Sequence, residues 1–302
     1  DEECGYAAYA GPCLLDQCGR TIFGDVTFCW PAIPVHPFDT TASSLAIAVH
    51  ELAHVLGFNE HLFRYFRESD GTPKVTGDPV PWSCSDYLNY EYPDTAGGRS
   101  DVDLSAAGLV EVFTERGIGP CTCPMNGTTT MSSAANSSCM VPVAGLYTSP
   151  GAVWRTPTCV TKLITPRVLE KAREHFDCPT LNGAELENQD TSACRIVGSH
   201  WEARIFVNEL MSPVPISGSV HDPFVSDVTL ALFEDSGWYL PNYSNADTLI
   251  EDMHWGYHQG CSFATEKCVE NGVTDFGKFW CTEAGEYSCS LDHTAISACM
   301  MN

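Results

Sequence analysis

The chain has 302 residues, with 15 basic against 39 acidic side chains and a net charge of −24. An acidic balance of that size argues against nucleic acid or anionic membrane surfaces as partners. No apolar run reaches the roughly 18 residues a membrane-spanning helix needs, so no span is expected within these residues. The length allows a substantial buried core, read as one main unit with a smaller companion.

Sixteen cysteines are heavy usage for a reducing compartment and point to an oxidising one, with as many as eight disulfides. Asn126-Gly-Thr, Asn136-Ser-Ser and Asn242-Tyr-Ser fit the N-glycosylation pattern, in keeping with secretion. Cys121-Thr-Cys123 and the Cys261…Cys268 pair match no zinc-ribbon spacing and read as disulfide staples. The chain starts at Asp1 without a signal peptide and ends at Asn302 without a lipid-anchor signal. It is therefore expected to be processed or part of a longer protein, which leaves room for a lipid anchor outside it.

Near the start, Gly5–Ala10 and Thr21–Trp30 are rich in β-formers and bounded by Gly, Pro and Cys, which predicts strands. Asp39, Thr40 and Thr41 then offer cap oxygens to a helix running to about Leu56. Leu45, Val49, Leu52 and Leu56 recur at helical spacing and predict a buried stripe. Gly57 ends that helix and lets the chain turn back.

This helix contains His50-Glu-Leu-Ala-His54, an H-E-x-x-H pattern. Residues four apart stack on one helix face, so both imidazoles can reach one metal ion, with Glu51 leaning toward a water on that ion. Zinc with imidazole ligands and an open position lowers the pKa of bound water to about 7, within reach of a carboxylate base. The pattern predicts zinc-dependent peptide hydrolysis. A catalytic site needs a third protein ligand, and here several residues compete. In the elongated pattern that position is Glu60, with His61 one residue late; Glu68 and Asp86 are later carboxylates. His200, followed eleven residues on by Met211 in Glu209-Leu-Met-Ser-Pro213, is the stronger candidate.

Beyond Phe58, residues 60–160 carry Asp-Gly, Thr-Pro, Gly-Gly and Gly-Pro breaks and read as a disulfide-stapled insertion bordering a cleft. Thr165-Pro166 opens a second helix, Arg167 to about Phe176, with Thr165 as cap and Cys178-Pro179 closing it. Ser226 caps a third, Asp227 to about Asp235, ended by Gly237, whose Val228, Ala231 and Leu232 face the core. Residues from about 240 onward are loop-rich with five cysteines. His254 and His258 are also four apart, but flanking glycines favour loop packing over a second metal. The acidic stretches at 68–71 and 100–103 fit no EF-hand and read as solvated loops.

A methionine in a tight turn beneath zinc histidines marks the metzincin proteases, and with it the chain resembles the leishmanolysin family. The resemblance is carried by His50-ELAHVLGF-Phe58, Lys171-AREHFDCPTL-Leu181, Gly198-Ser-His200, Asn208-ELMSP-Pro213, Leu230-ALFEDSGWY-Tyr239 and Trp255-GYHQGCSFATEKC-Cys268, and runs to about Cys299. It implies an α+β, metzincin-like catalytic domain with an active-site helix, an edge strand that pairs with substrate backbone, a long disulfide-rich insertion and a loop-rich C-terminal subdomain. It implies His50, His54 and His200 as ligands of one catalytic Zn2+, Glu51 as general base and Met211 as the Met-turn residue. The expected organisation is 1–59 with the zinc helix, 60–160 insertion, 161–240 with the third ligand and Met-turn, and 241–302 cysteine-rich. The expected activity is a secreted or cell-surface zinc endopeptidase acting on protein or peptide substrates. A non-catalytic adhesion or matrix protein that keeps zinc as a clamp is the alternative, against which the intact Glu51 weighs.

Overall fold

The computed structural model describes residues 7–29, 41–75, 108–114, 140–142, 155–157, 159–187, 198–213, 223–291 and 296–299. Two antiparallel strands, β1 (Ala8–Leu15) and β2 (Thr21–Phe28), form a hairpin ahead of helix α1 (Thr41–Leu56). The hairpin lies against α1, and at Gly24 a β-carbon would fall 2.3 Å from Val55, so only glycine admits that approach. The proposed cap residues Asp39 and Thr40 lie outside the described residues, as do Asp86, Asn126, Asn136, Cys121 and Cys123.

Next come β3 (Val110–Thr114), β4 (Met140–Pro142), β5 (Arg155–Pro157) and β6 (Cys159–Leu163). β6 pairs antiparallel with β3 on one side and with β7 (Ala184–Glu185) on the other, and β4 pairs with β5. Helix α2 (Pro166–Phe176) follows β6, and α3 (Asp227–Asp235) packs on it. α4 (Gly260–Thr265) and the hairpin of β8 (Tyr287–Cys289) with β9 (Ile296–Ala298) complete the order. The molecule is thus a mixed helix-and-sheet protein, held further by disulfides Cys178–Cys261 and Cys281–Cys299.

Two helix starts differ in instructive ways. At α3 the Ser226 side chain accepts the Thr229 N–H, as its sequence predicts. At α2 Thr165 makes no such cap; Asp235, from the end of α3, accepts the N–H groups of Arg167 and Val168 at 2.9 Å each. A carboxylate at a helix N-terminus satisfies orphan donors and opposes the positive end of the dipole, so a tertiary contact does the capping. α2 ends with Asp177 in the left-handed region (φ 51°), its N–H donating to Arg173 and Glu174 carbonyls.

Among the described residues the core has one large cluster and a smaller one of Leu15, Leu62 and Tyr65. Phe58, Phe66, Phe176, Trp201, Phe206, Met211, Val228, Ala231 and Leu232 are buried in the large one, and so are Phe263 and Phe279 from the chain beyond residue 240. The predicted inner residues of α3 therefore do face inward. The α1 stripe does not: Leu45, Val49, Leu52 and Leu56 are exposed, at 63, 38, 50 and 42%. Ala53 and Val55 of the same helix are buried and Ala46 packs against the core, so the covered side of α1 is the one away from the leucines. Periodicity identifies which residues share a face, not which face is covered.

Candidate metal centre

The first two histidines are set by α1, which places them one turn apart, with Nε2 atoms 3.0 Å from each other. The third arrives by a different route. After β7, Leu186 donates to the Thr161 carbonyl and bridges to Trp201, so residues 185–187 run beside 200–202. That pairing delivers His200, whose Nε2 lies 3.2 Å from His50 Nε2 and 3.1 Å from His54 Nε2.

The outer ring nitrogens are all engaged. His50 Nδ1 donates to the Leu210 carbonyl at 2.6 Å, and His54 Nδ1 donates to the Phe58 carbonyl at 2.8 Å. His200 Nδ1 lies 2.6 Å from a carboxylate oxygen of Glu187, itself only 7% exposed. Carbonyl and carboxylate oxygens accept, so each Nδ1 carries a proton, and a neutral ring then keeps its lone pair on Nε2. Three lone pairs pointed at one another cannot hydrogen-bond among themselves. Their convergence suits a cation: tetrahedral zinc with Zn–N bonds near 2.05 Å would separate ligand nitrogens by roughly 3.3 Å. Burial points the same way. It drives His50 down to about 4 and His54 down to about 3, keeping both neutral rather than protonated, with a lone pair to give a metal.

Glu51 is the orphan of the site. It is 6% exposed, its Oε2 has no hydrogen-bond partner, and burial raises its pKa to about 7. A buried carboxylate left unpaired is costly unless it serves a ligand or a reaction.

Met211 is fully buried in the core; its carbonyl accepts the N–H of Trp201, the residue after His200. The rival third ligands are occupied elsewhere. Glu60 Oε2 accepts the Gly198 N–H at 3.2 Å, two residues before His200, and its Oε1 lies 3.5 Å from His61. Glu68 pairs with Lys74, and Asp86 lies outside the described residues. Among the described residues, His50, His54 and His200 are the group of three able to hold a metal ion. His254 stays with Ile250, and the His258 ring stacks on Tyr257. Gly57 does not take a left-handed φ; a β-carbon there would sit 3.3 Å from the Phe233 ring, a tight contact.

Sequence reasoning missed two carboxylates, Glu187 and Glu209. Glu187 has no motif spacing to His200, thirteen residues on, and only the strand-like pairing just described unites them. Glu209 sits inside the block that contains Met211, yet nothing in the pattern marks its side chain as buried.

A mixed helix-and-sheet protein with a partly buried three-histidine cage beside an unpaired glutamate belongs to the class of candidate metallohydrolases. The family is settled by similarity: a family model described as leishmanolysin matches residues 2–84 and 146–302, and the chain belongs to that peptidase family. It is 32% identical over 264 residues to a leishmanolysin-like peptidase of Caenorhabditis briggsae, covering 87% of this chain and 32% of that protein. A Drosophila melanogaster leishmanolysin-like peptidase is 30% identical over 269 residues, 87% of this chain and 31% of its own length. A leishmanolysin homolog of Crithidia fasciculata is 38% identical over 144 residues, 47% of this chain and 20% of that protein. The chain thus spans about a third of the length of the longest-matching relatives. The family match passes over residues 85–145, inside the segment read from sequence as an insertion.

Proposed function

We propose that this chain is the catalytic region of a zinc-dependent endopeptidase of the metzincin type, in which His50, His54 and His200 hold one Zn2+. The observation that carries the reading is the convergence of three Nε2 atoms, each ring held from outside through Nδ1, beside an orphaned buried glutamate. When bound, zinc supplies Lewis acidity for water and for the peptide carbonyl.

The chain's own residues do the rest. Glu51 Oε2, free of other partners and with a pKa near 7, takes the proton of the attacking water and returns it to the leaving amine. Leu210, Phe58 and Glu187 hold the rings so that no reorganisation is needed during the reaction. Met211 floors the site. β2 pairs with β1 and with no other described strand, so an extended substrate adding along its other edge would present a peptide bond beside α1. Disulfides and the exposed Asn242 sequon favour work outside the cell, on protein or peptide substrates, with the 60–160 segment as an insertion flanking the cleft and 241–302 as its far wall. A zinc clamp in an adhesion protein has no use for an unpaired buried carboxylate.

The test is cleavage of a denatured protein by wild type and Glu51→Gln, with and without a zinc chelator. Wild-type cleavage should vanish with the chelator, and the variant should keep its zinc while losing on the order of 10²–10⁴ in rate. A folded, zinc-loaded Glu51→Gln protein that cleaves like wild type would sink the proposal.

A further inference from the structure

Glu209 is a carboxylate that the reaction does not touch, yet it is 2% exposed and sits among hydrogen-bond donors. Its Oε2 accepts the Met211 N–H at 2.6 Å. Its Oε1 accepts the Ser226 hydroxyl at 2.7 Å, the Ser226 N–H at 3.3 Å and the Thr229 hydroxyl. No cation is among these partners, and burial raises its pKa, so the site bears a desolvation cost that an apolar residue would avoid. Something must offset that cost.

What the four donors have in common is where they lead. The turn at 208–211 is strapped to the start of α3 through Leu210 N–H to Phe224 O and Phe224 N–H to Asn208 O. From that turn the Leu210 carbonyl fixes His50, and the Met211 carbonyl fixes the backbone next to His200. The Thr229 oxygen, while donating to Glu209, accepts the indole N–H of Trp201 at 2.8 Å. Glu209 is therefore the node through which α3 holds both the turn behind His50 and the residue that follows His200. Every partner donates and none accepts, so an amide in its place would turn an NH2 group against a donor. A chain running from the indole N–H through a hydroxyl to a carboxyl oxygen is also mutually polarised.

We propose that Glu209 is a positioning residue for the metal centre: its buried carboxylate sets the spacing between the α1 histidines and His200, and thereby the affinity and geometry of the bound metal. The inference rests on the three-histidine reading above. The test measures zinc dissociation constants by chelator competition for wild type, Glu209→Gln, Thr229→Val and Thr229→Ser, alongside the zinc-free unfolding midpoint of each. The visible spectrum of each cobalt-loaded protein serves as a readout of ligand geometry.

Glu209→Gln is expected to weaken zinc about tenfold, the lower end of what outer partners of metal ligands contribute. Thr229→Val should weaken it several-fold, Thr229→Ser should restore wild-type affinity, and the cobalt bands of the first two should shift. If Glu209→Gln fails to fold, the Thr229 pair carries the test alone. Wild-type zinc affinity and an unshifted cobalt spectrum in folded Glu209→Gln and Thr229→Val would overturn the role while leaving the metal site standing. An equal zinc loss in Thr229→Val and Thr229→Ser would also overturn it. A wild-type chain that binds no zinc would instead remove the metal site itself.

Discussion

The two sides of α1 are built from the same sixteen residues and have opposite character. On one side His50 and His54 are held from three directions, by the turn at 208–211, by the strand-like segment with His200, and by the Phe58 carbonyl, and Glu51 and Ala53 are buried beside them. On the other, Leu45, Val49, Leu52 and Leu56 are exposed. The polar side is thus the fixed one and the apolar side the free one, the reverse of an ordinary amphipathic surface helix. Side-chain volume explains part of this. Ala46 and Ala53 let the core close on the histidine side, where leucines would have held it away.

The strongest way to break this contrast is at the histidines. His54→Ala removes one of three convergent nitrogens and leaves the Phe58 carbonyl without its donor. Bound zinc, measured by elemental analysis after dialysis, should fall from about one per chain to near none, since two imidazoles do not close a zinc site. Retention of one zinc in His54→Ala would mean that another side chain completes the site.

One step outward lies Trp201, fully buried between the Phe58 ring at 4.8 Å and the Thr229 hydroxyl. Trp201→Ala opens a cavity and removes the N–H donor that this hydroxyl accepts, so unfolding free energy in denaturant should drop by roughly 3–5 kcal/mol. A loss under 1 kcal/mol would mean that the core does not seat His200 in the way described.

Glu187 should matter less to folding and more to the ion. Its contact with His200 fixes the ring's tautomer and orientation, and such partners are worth about 10–100-fold in metal affinity. Glu187→Ala should show that loss in a chelator competition. An unchanged zinc constant would mean that the backbone alone orients His200.

Legibility in the sequence follows the range of each interaction. His50, Glu51 and His54 are readable because one helical turn fixes their relation, and α3 is readable because Ser226, Gly237 and the Val228, Ala231, Leu232 spacing are all local signals. The grouping of His200 with them came from family resemblance rather than spacing, since 146 residues separate it from His54. Asp235 as the cap of α2, Glu187 behind His200 and Glu209 behind the turn were invisible because each acts across elements distant in the chain. The leucine stripe misled for a related reason. Which face of a helix is buried depends on what packs against it, and that lies outside the helix.

The smallest predicted effect sits on that stripe. Leu52 is half exposed, so Leu52→Gln removes little area from any apolar contact and leaves no buried polar group unsatisfied. Stability of the 302-residue chain should change by no more than about 0.5 kcal/mol, and bound zinc should stay near one. The matched change on the other side, Ala53→Leu, adds three carbons to a site 5% exposed and should cost about 1–3 kcal/mol. Measured together by denaturant unfolding, the pair separates the covered face from the free one. Equal losses would mean that the leucine side is covered in solution, and that something packs on α1 where the structure shows an exposed surface.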